Sequence, residues 1–138
     1  MKKNPILRET SHVLIPVILL FALYVQFHGD YGPGGGFQAG VIFASGIILY
    51  VLLHGIKKTE KIISLQTTKF LAALGLLIYC AVGVAGMLLG GLFLEYNVLA
   101  ADPVDGQHWG ILFIELGVGI TVASVILAVF YAFAKFEK

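Results

Sequence analysis

Charged side chains are scarce in this sequence, and their scarcity excludes most soluble architectures. Only 12% of the 138 residues are Asp, Glu, Lys or Arg, whereas about 25% is usual for a soluble domain. The formal net charge of +1 gives no reason to expect binding to nucleic acid. Hydrophobic residues make up 59% of the chain, and its mean hydropathy is +0.93. We therefore expect the main solvent of this protein to be the interior of a membrane.

Reactive side chains are equally few. The single cysteine, Cys80, lies within an apolar run, so a disulfide framework and a cysteine-based metal site are excluded, and we expect Cys80 to be buried as a small hydrophobic residue. His12, His28 and His54 stand near the ends of apolar runs, and no pair of them has metal-ligand spacing on one helix. No nucleophile motif is present. The sequence predicts no catalytic residue, no metal site, no cofactor and no independent enzyme.

What the chain has in abundance is long apolar runs. Four of them, at about residues 10–27, 37–53, 69–89 and 109–133, approach the roughly 20 residues that a bilayer requires. Strands are excluded because these runs are apolar on all sides and do not alternate. We predict an all-α integral membrane protein with four transmembrane helices, formed by a single domain over residues 1–138.

The basic residues fix the expected orientation of these helices. All nine fall on one side of a four-span topology, whereas Asp30, Glu95, Asp102 and Asp105 fall on the other side without a basic neighbour. By the positive-inside tendency, both termini and the loop between the second and third spans are predicted to be cytoplasmic. The nine basic residues are Lys2, Lys3, Arg8, Lys57, Lys58, Lys61, Lys69, Lys135 and Lys138.

A glycine-rich stretch at residues 32–40 joins the first two spans. Consecutive glycines at Gly34, Gly35 and Gly36 do not fit a helix interior, because each costs roughly 1 kcal/mol relative to alanine and readily adopts positive φ. We predict a shaped turn, stiffened on one side by Pro33. The stretch lacks the Lys-Ser/Thr ending of a phosphate-binding loop. We expect Phe37 after the glycines to contact a neighbour.

Two glycine pairs are spaced like helix-packing motifs. Gly36 and Gly40 stand four residues apart at the start of the second span, and Gly86 and Gly90 repeat this spacing at the end of the third. Small residues at such spacing let two helix backbones approach closely in lipid. Because glycine is common in membrane helices, each pair is either a helix contact face or a coincidence of composition. The polar connection that follows, at about residues 91–108, is predicted to be a loop with Pro103 and Gly106 as turn markers.

Glu115 is the only charged residue well inside a predicted span. A carboxylate in hydrocarbon is costly, so we expect it to face protein or a wet cavity. His108 precedes it by seven residues, about two helical turns and about 10 Å, and lies on the same side of the helix. Gly119 leaves space on that face. Two interpretations stand: Glu115 and His108 form a proton or cation relay from the outer acids, or Glu115 is a structural carboxylate bonded to a partner subunit.

The turn and the last span together resemble a known family. The residues from His28 to Asp30, the stretch 32–40 and the stretch 110–119 of the last span are similar to the MnhB/MrpB-like small subunits of the Mrp-type multisubunit sodium/proton antiporters. The resemblance covers essentially the whole chain. It implies a multi-pass subunit of a complex in the bacterial or archaeal cytoplasmic membrane, which exchanges sodium ions for protons using the proton motive force. It also implies partner subunits, including large subunits related to respiratory complex I, and gives Pro33 and Phe37 importance within the motif.

Three functional hypotheses follow. The first is the antiporter subunit, which supports assembly and ion exchange. The second is the equivalent small membrane-arm subunit of a membrane-bound hydrogenase or a related respiratory complex. The third is a self-assembling small pore or scaffold. For the first two we predict that the glycine turn is a wedge against which a large subunit packs closely, so that replacing Gly35 by a β-branched residue abolishes complex formation or transport.

Overall fold

The computed structural model describes residues 5–136, and the side chains of residues 5–134. The helices are α1 (Pro5–His28), α2 (Gly36–His54), the short α3 (Ile56–Thr59), α4 (Leu65–Leu88) and α5 (Pro103–Phe136), with a 3-10 turn at Tyr96–Val98. Helices α1, α2, α4 and α5 are long and apolar enough to cross a membrane. The predicted all-α fold with four spanning helices is confirmed. Lys2, Lys3 and Lys138, which entered the orientation argument, lie outside the described residues.

Helix α5 is the centre of the bundle. It packs against α4 on one side and α2 on the other, whereas α1 packs mainly on α2 and has little contact with α5. The α4–α5 contact is close because a Cβ at Gly75 would lie only 2.6 Å from the carbonyl oxygen of Gly117. The Thr121 hydroxyl donates to that same carbonyl oxygen at 2.8 Å. Helices α2 and α5 meet similarly, since a Cβ at Gly40 would lie 2.8 Å from the carbonyl oxygen of Gly119.

The two ends of the bundle differ in charge. The turn end carries the α1–α2 turn (residues 29–35), the α4–α5 connection (residues 89–102) and all the acidic residues that the sequence placed on one side. The basic end carries the start of α1 and the α2–α4 connection with Lys57, Lys58 and Lys61. Tyr131 is fully buried at the basic end, and its hydroxyl donates to the carbonyl oxygen of Ile63 at 3.0 Å. The charge segregation expected from the sequence is therefore present in the fold.

Helix α5 starts earlier than predicted. The prediction of a loop through His108 is wrong from Pro103 onward, because proline lacks only an N–H that the first helical turn does not use. Asp102 caps this helix, since its Oδ1 accepts a hydrogen bond from the backbone N–H of Val104 at 2.9 Å. Helix α1 likewise starts at Pro5 and continues through Pro16. At 34 residues, α5 is about 51 Å long, more than the roughly 30 Å hydrocarbon thickness.

The structure decides one open alternative about α4 and overturns one prediction, the burial of Cys80. Gly86 and Gly90 form no helix contact face: Gly86 faces the carbonyl oxygens of Leu92 and Glu95, and Gly90 follows the helix with φ of 91° and no heavy atom near its would-be Cβ. Cys80 is exposed on α4. The reason is that α4 packs on α5 along a narrow face around Gly75, which leaves most of its circumference uncovered by this chain.

Candidate functional site

The α1–α2 turn has a conformation that only glycine adopts readily. Gly35 precedes α2 with φ of 114° and ψ of 175°, a combination essentially restricted to glycine. Its backbone N–H donates to the carbonyl oxygen of Val25 at 3.2 Å, which ties the start of α2 to the last turn of α1. The backbone N–H groups of Tyr31 and Gly32 both donate to the carbonyl oxygen of His28. The predicted use of positive φ in this stretch is confirmed at Gly35.

Glycines at the α1–α2 turn approach Glu115 of α5 closely. A Cβ at Gly29 would overlap both carboxylate oxygens of Glu115 and lie 2.6 Å from its Cδ. At Gly35 a Cβ would lie 2.8 Å from the Oε1 of the same side chain. At Gly36 it would overlap the backbone carbonyl of Glu115, 2.8 Å from the carbonyl carbon. The glycines therefore form a cradle, which we call the glycine cradle and define as Gly29, Gly35 and Gly36.

The predicted glycine motif divides into inward and outward residues. Gly34, Gly35, Gly36 and Gly40 face other parts of the same chain: a Cβ at Gly34 would lie 2.9 Å from the carbonyl oxygen of Val25, and the other three meet α5. These glycines thus make a close approach to α5 of the same chain, and the packing of a partner subunit against the turn stays a prediction. Pro33 and Phe37 point outward, and Phe37 is 62% exposed. These two residues and Tyr31 are exposed on the surface of the turn.

Glu115 lies at the level of the α1–α2 junction. Its expected depth was set by a helix that begins near His108, but α5 starts at Pro103, about 18 Å along the helix from Glu115. Since Gly29 and Gly36 mark the end of α1 and the start of α2, their contacts with Glu115 place it beside the turn-end termini of these helices.

Glu115 and His108 line one cavity of about 180 Å³ at the turn end. The fold thus brings together the two residues that the sequence analysis placed on one side of the last helix. The cavity has four hydrogen-bonding side chains beside the phenol of Tyr31 and the indole of Trp109, and the rest of its lining is apolar. The four are Gln26, Asp30, His108 and Glu115.

Asp30 and His108 meet at the mouth of this cavity. The Nδ1 of His108 and the Oδ2 of Asp30 form a hydrogen bond, which becomes an ion pair when the imidazole is protonated. The side chains are 49% exposed for His108 and 23% exposed for Asp30. The ring of Tyr31 stacks on that of His108, with centroids 6.3 Å apart. The pair connects the cavity to the exterior.

Gln26 is the residue of the site that sequence reasoning did not single out. It is 7% exposed, and its Nε2 is buried without a hydrogen-bond partner. Its amide oxygen occupies the space that a Cβ at Gly119 would need, so the gap predicted beside the carboxylate at Gly119 is filled by Gln26. The sequence signal that could have identified Gln26 is its amide side chain near the end of an otherwise apolar run.

The described side chains, residues 5–134, form no metal-binding cluster: no three His, Cys, Asp or Glu lie close enough together to bind a metal ion. At the other end of the bundle, the rings of His12 and His54 meet with centroids 5.4 Å apart. The chemistry that the site can perform is therefore that of one carboxylate in a glycine cradle, a second carboxylate paired with an imidazole, and an amide donor with no protein acceptor.

Comparison with known proteins gives one consistent result. Residues 6–128 match the family described as a domain related to the MnhB subunit of Na+/H+ antiporters. The B-type subunit of the Na+/H+ antiporter of Alkalihalophilus pseudofirmus is 32% identical over 137 residues, which cover 91% of this chain and 94% of the relative. A putative antiporter subunit mnhB2 of Staphylococcus aureus strain Newman is 32% identical over 133 residues, which cover 94% of each chain.

Proposed function

This chain belongs to the family of domains related to the MnhB subunit of Na+/H+ antiporters, and from this premise we propose that it is a multi-pass membrane subunit of such an antiporter. The complex exchanges sodium ions for protons across the cytoplasmic membrane of a bacterium or archaeon, driven by the proton motive force. The chain is a component of a secondary transporter and not an enzyme. The observation that carries this proposal is a family match that extends over residues 6–128, together with relatives that match nearly end to end.

The low internal burial of the spans supports a role within a larger assembly. Inside this chain, 22% of the spanning window is buried in α1, α4 and α5, and 44% in α2. Much of the surface is therefore available to lipid and to partner subunits. The partners that we propose include large subunits related to those of respiratory complex I. Pro33, Phe37 and Tyr31 are the turn residues that we assign to such contacts.

The orientation that we propose places the basic end in the cytoplasm. Arg8, Lys57, Lys58, Lys61 and Lys69 are the basic residues within the described side chains, and they support this assignment because basic residues are retained on the cytoplasmic side. Both termini then lie in the cytoplasm, and the glycine cradle with its cavity opens toward the outer aqueous phase.

The test is to purify the native complex through a tag on this chain and to identify the subunits that accompany it. The proposal predicts the other antiporter subunits in fixed proportion, and loss of sodium-dependent proton exchange in membrane vesicles when the gene of this chain is deleted. Accompanying hydrogenase or other redox subunits would instead assign the chain to a respiratory complex. A stable oligomer of this chain alone would indicate a pore or scaffold.

A further inference from the structure

We propose that the cavity beside the glycine cradle holds water and that Glu115 binds there a proton, which it exchanges with the aqueous phase at the turn end. The inference rests on the proposed function, because it assigns a step to this chain within an ion-exchanging complex. It gives the chain a chemical role in addition to assembly.

The volume and lining of the cavity suit water. About 180 Å³ is room for several molecules at the roughly 30 Å³ that each occupies in the liquid. Gln26, Asp30, His108 and Glu115 supply the polar partners that a buried water needs, and they lie on α1, the α1–α2 turn and α5. A hydrated cavity would thus connect the exposed Asp30–His108 pair with the carboxylate in the glycine cradle.

Gln26 is the independent observation that points to a bound molecule. Its Nε2 is buried and donates to no atom of the protein, although an unpaired buried amide is costly. Gln26 lines the cavity, so a rotation of its amide would let a water oxygen there accept this hydrogen bond and donate to Glu115.

Among the side chains that the structure describes, no Lys or Arg lies beside Glu115. The turn contributes Asp30 and Tyr31, α1 contributes Gln26, and α5 itself contributes His108. Helix α2 approaches Glu115 with Gly36, and α4 places Tyr79 near Gly117, on the other side of α5. Among the described side chains, every Lys and Arg lies toward the basic end. Within the described part of this chain, the carboxylate can therefore be neutralised only by a proton, by protonated His108 or by a bound cation.

In the part of the chain that the structure describes, the polar path ends at Glu115 and Gln26. Beyond Gln26 lies a separate groove of about 290 Å³ with an almost entirely apolar lining, in which the hydroxyls of Thr68 and Ser124 are the other polar side-chain groups. None of the residues lining this groove is titratable. Glu115 therefore exchanges its proton with one side only within this chain, and a further transfer would need a group from a partner subunit.

The first experiment measures proton binding directly in the purified complex. Dicyclohexylcarbodiimide reacts with protonated carboxyl groups in apolar surroundings, and mass spectrometry of this chain identifies the modified residue. The proposal predicts modification of Glu115 that increases as the pH is lowered and is unaffected by sodium at constant pH. An unmodified Glu115, or modification abolished by sodium at constant pH, would overturn it, the latter because it indicates a sodium site.

The second experiment measures the consequence for transport in inverted membrane vesicles. Glu115→Gln should leave the subunit composition unchanged and slow sodium-dependent proton exchange at least tenfold, whereas Asp105→Asn, an exposed acid of the same helix outside the cavity, should change neither. Wild-type exchange with an unchanged pH profile in Glu115→Gln would overturn the proton site. The subunit assignment would survive that result, because it depends on the accompanying subunits.

A second variant tests the proposal if the complex does not assemble with Glu115→Gln. Gln26→Leu removes the amide but no hydrogen bond within the protein, so the complex should form and exchange should slow several-fold. Gln38→Leu is the matched control, because Gln38 is exposed and does not line the cavity. Equal exchange rates in the wild type and Gln26→Leu would contradict the proposal.

Discussion

At the scale of single residues, the glycine cradle sets how closely the α1–α2 turn can approach Glu115. Gly29 and Gly35 meet the carboxylate of Glu115, and Gly36 meets its backbone carbonyl. A methyl group at any of the three would occupy space that α5 already fills. The turn and the carboxylate thus form one structural unit, although they are about 80 residues apart in the sequence.

Gly35→Ala should lower the amount of assembled complex more than a glycine substitution that causes backbone strain alone. Gly90 is the matched control, because its φ of 91° is also positive but its would-be Cβ meets nothing within 4 Å. Backbone strain of about 1–3 kcal/mol applies to both variants, and Gly35→Ala must also displace the Glu115 carboxylate. We expect the complex to accumulate nearly normally with Gly90→Ala and poorly with Gly35→Ala, measured by immunoblot of the assembled complex. Equal accumulation of the two would show that the carboxylate contact has no energetic weight.

At the scale of helices, the sequence predicts where the helices lie better than it predicts which helices pack together. Hydropathy predicted four spans because burial in lipid depends on composition alone, and the Gly-rich turn was identified by its local backbone requirement. The start of α5 was missed, since Pro103 and Gly106 occur in helices as well as in turns. The pairing of the glycine cradle with Glu115 and the burial of Gln26 were not predictable, because both depend on which helices become neighbours.

Gly75→Ala should weaken the contact between α4 and α5. The added Cβ would lie 2.6 Å from the carbonyl oxygen of Gly117 and overlap the Thr121 hydroxyl, and a backbone atom cannot rotate away. We expect a loss of about 1–3 kcal/mol, seen as a lower melting temperature of the purified complex. Gly83→Ala on the same helix is the control: its neighbour is the half-exposed ring of Phe93, which can move aside. A larger loss for Gly83→Ala than for Gly75→Ala would contradict this description of the contact.

At the scale of the whole molecule, the separation of charge between the two ends predicts the orientation in the membrane. In a Cys80→Ala background, Lys57→Cys and Asp102→Cys introduce single thiols at exposed positions of opposite ends. A membrane-impermeant maleimide applied to intact cells should label Asp102→Cys and should label Lys57→Cys only after permeabilisation. The opposite pattern would invert the orientation and would place the cavity on the cytoplasmic side.

The central claim is that the glycine cradle encloses the side chain of Glu115 of the same chain, and a set of double mutants tests it most directly. Gly29→Ala should reduce the amount of assembled complex, and adding Glu115→Ala should restore part of it, because the clash is with the carboxylate. Adding Glu115→Gln, which keeps the size of the side chain, should not restore it.

Gly36→Ala is the control. It should not be rescued by Glu115→Ala, because its clash is with the backbone carbonyl. The measurement is the amount of assembled complex in each variant. The account predicts that Glu115→Ala rescues Gly29→Ala and that Glu115→Gln does not. Failure of Glu115→Ala to rescue Gly29→Ala would contradict it.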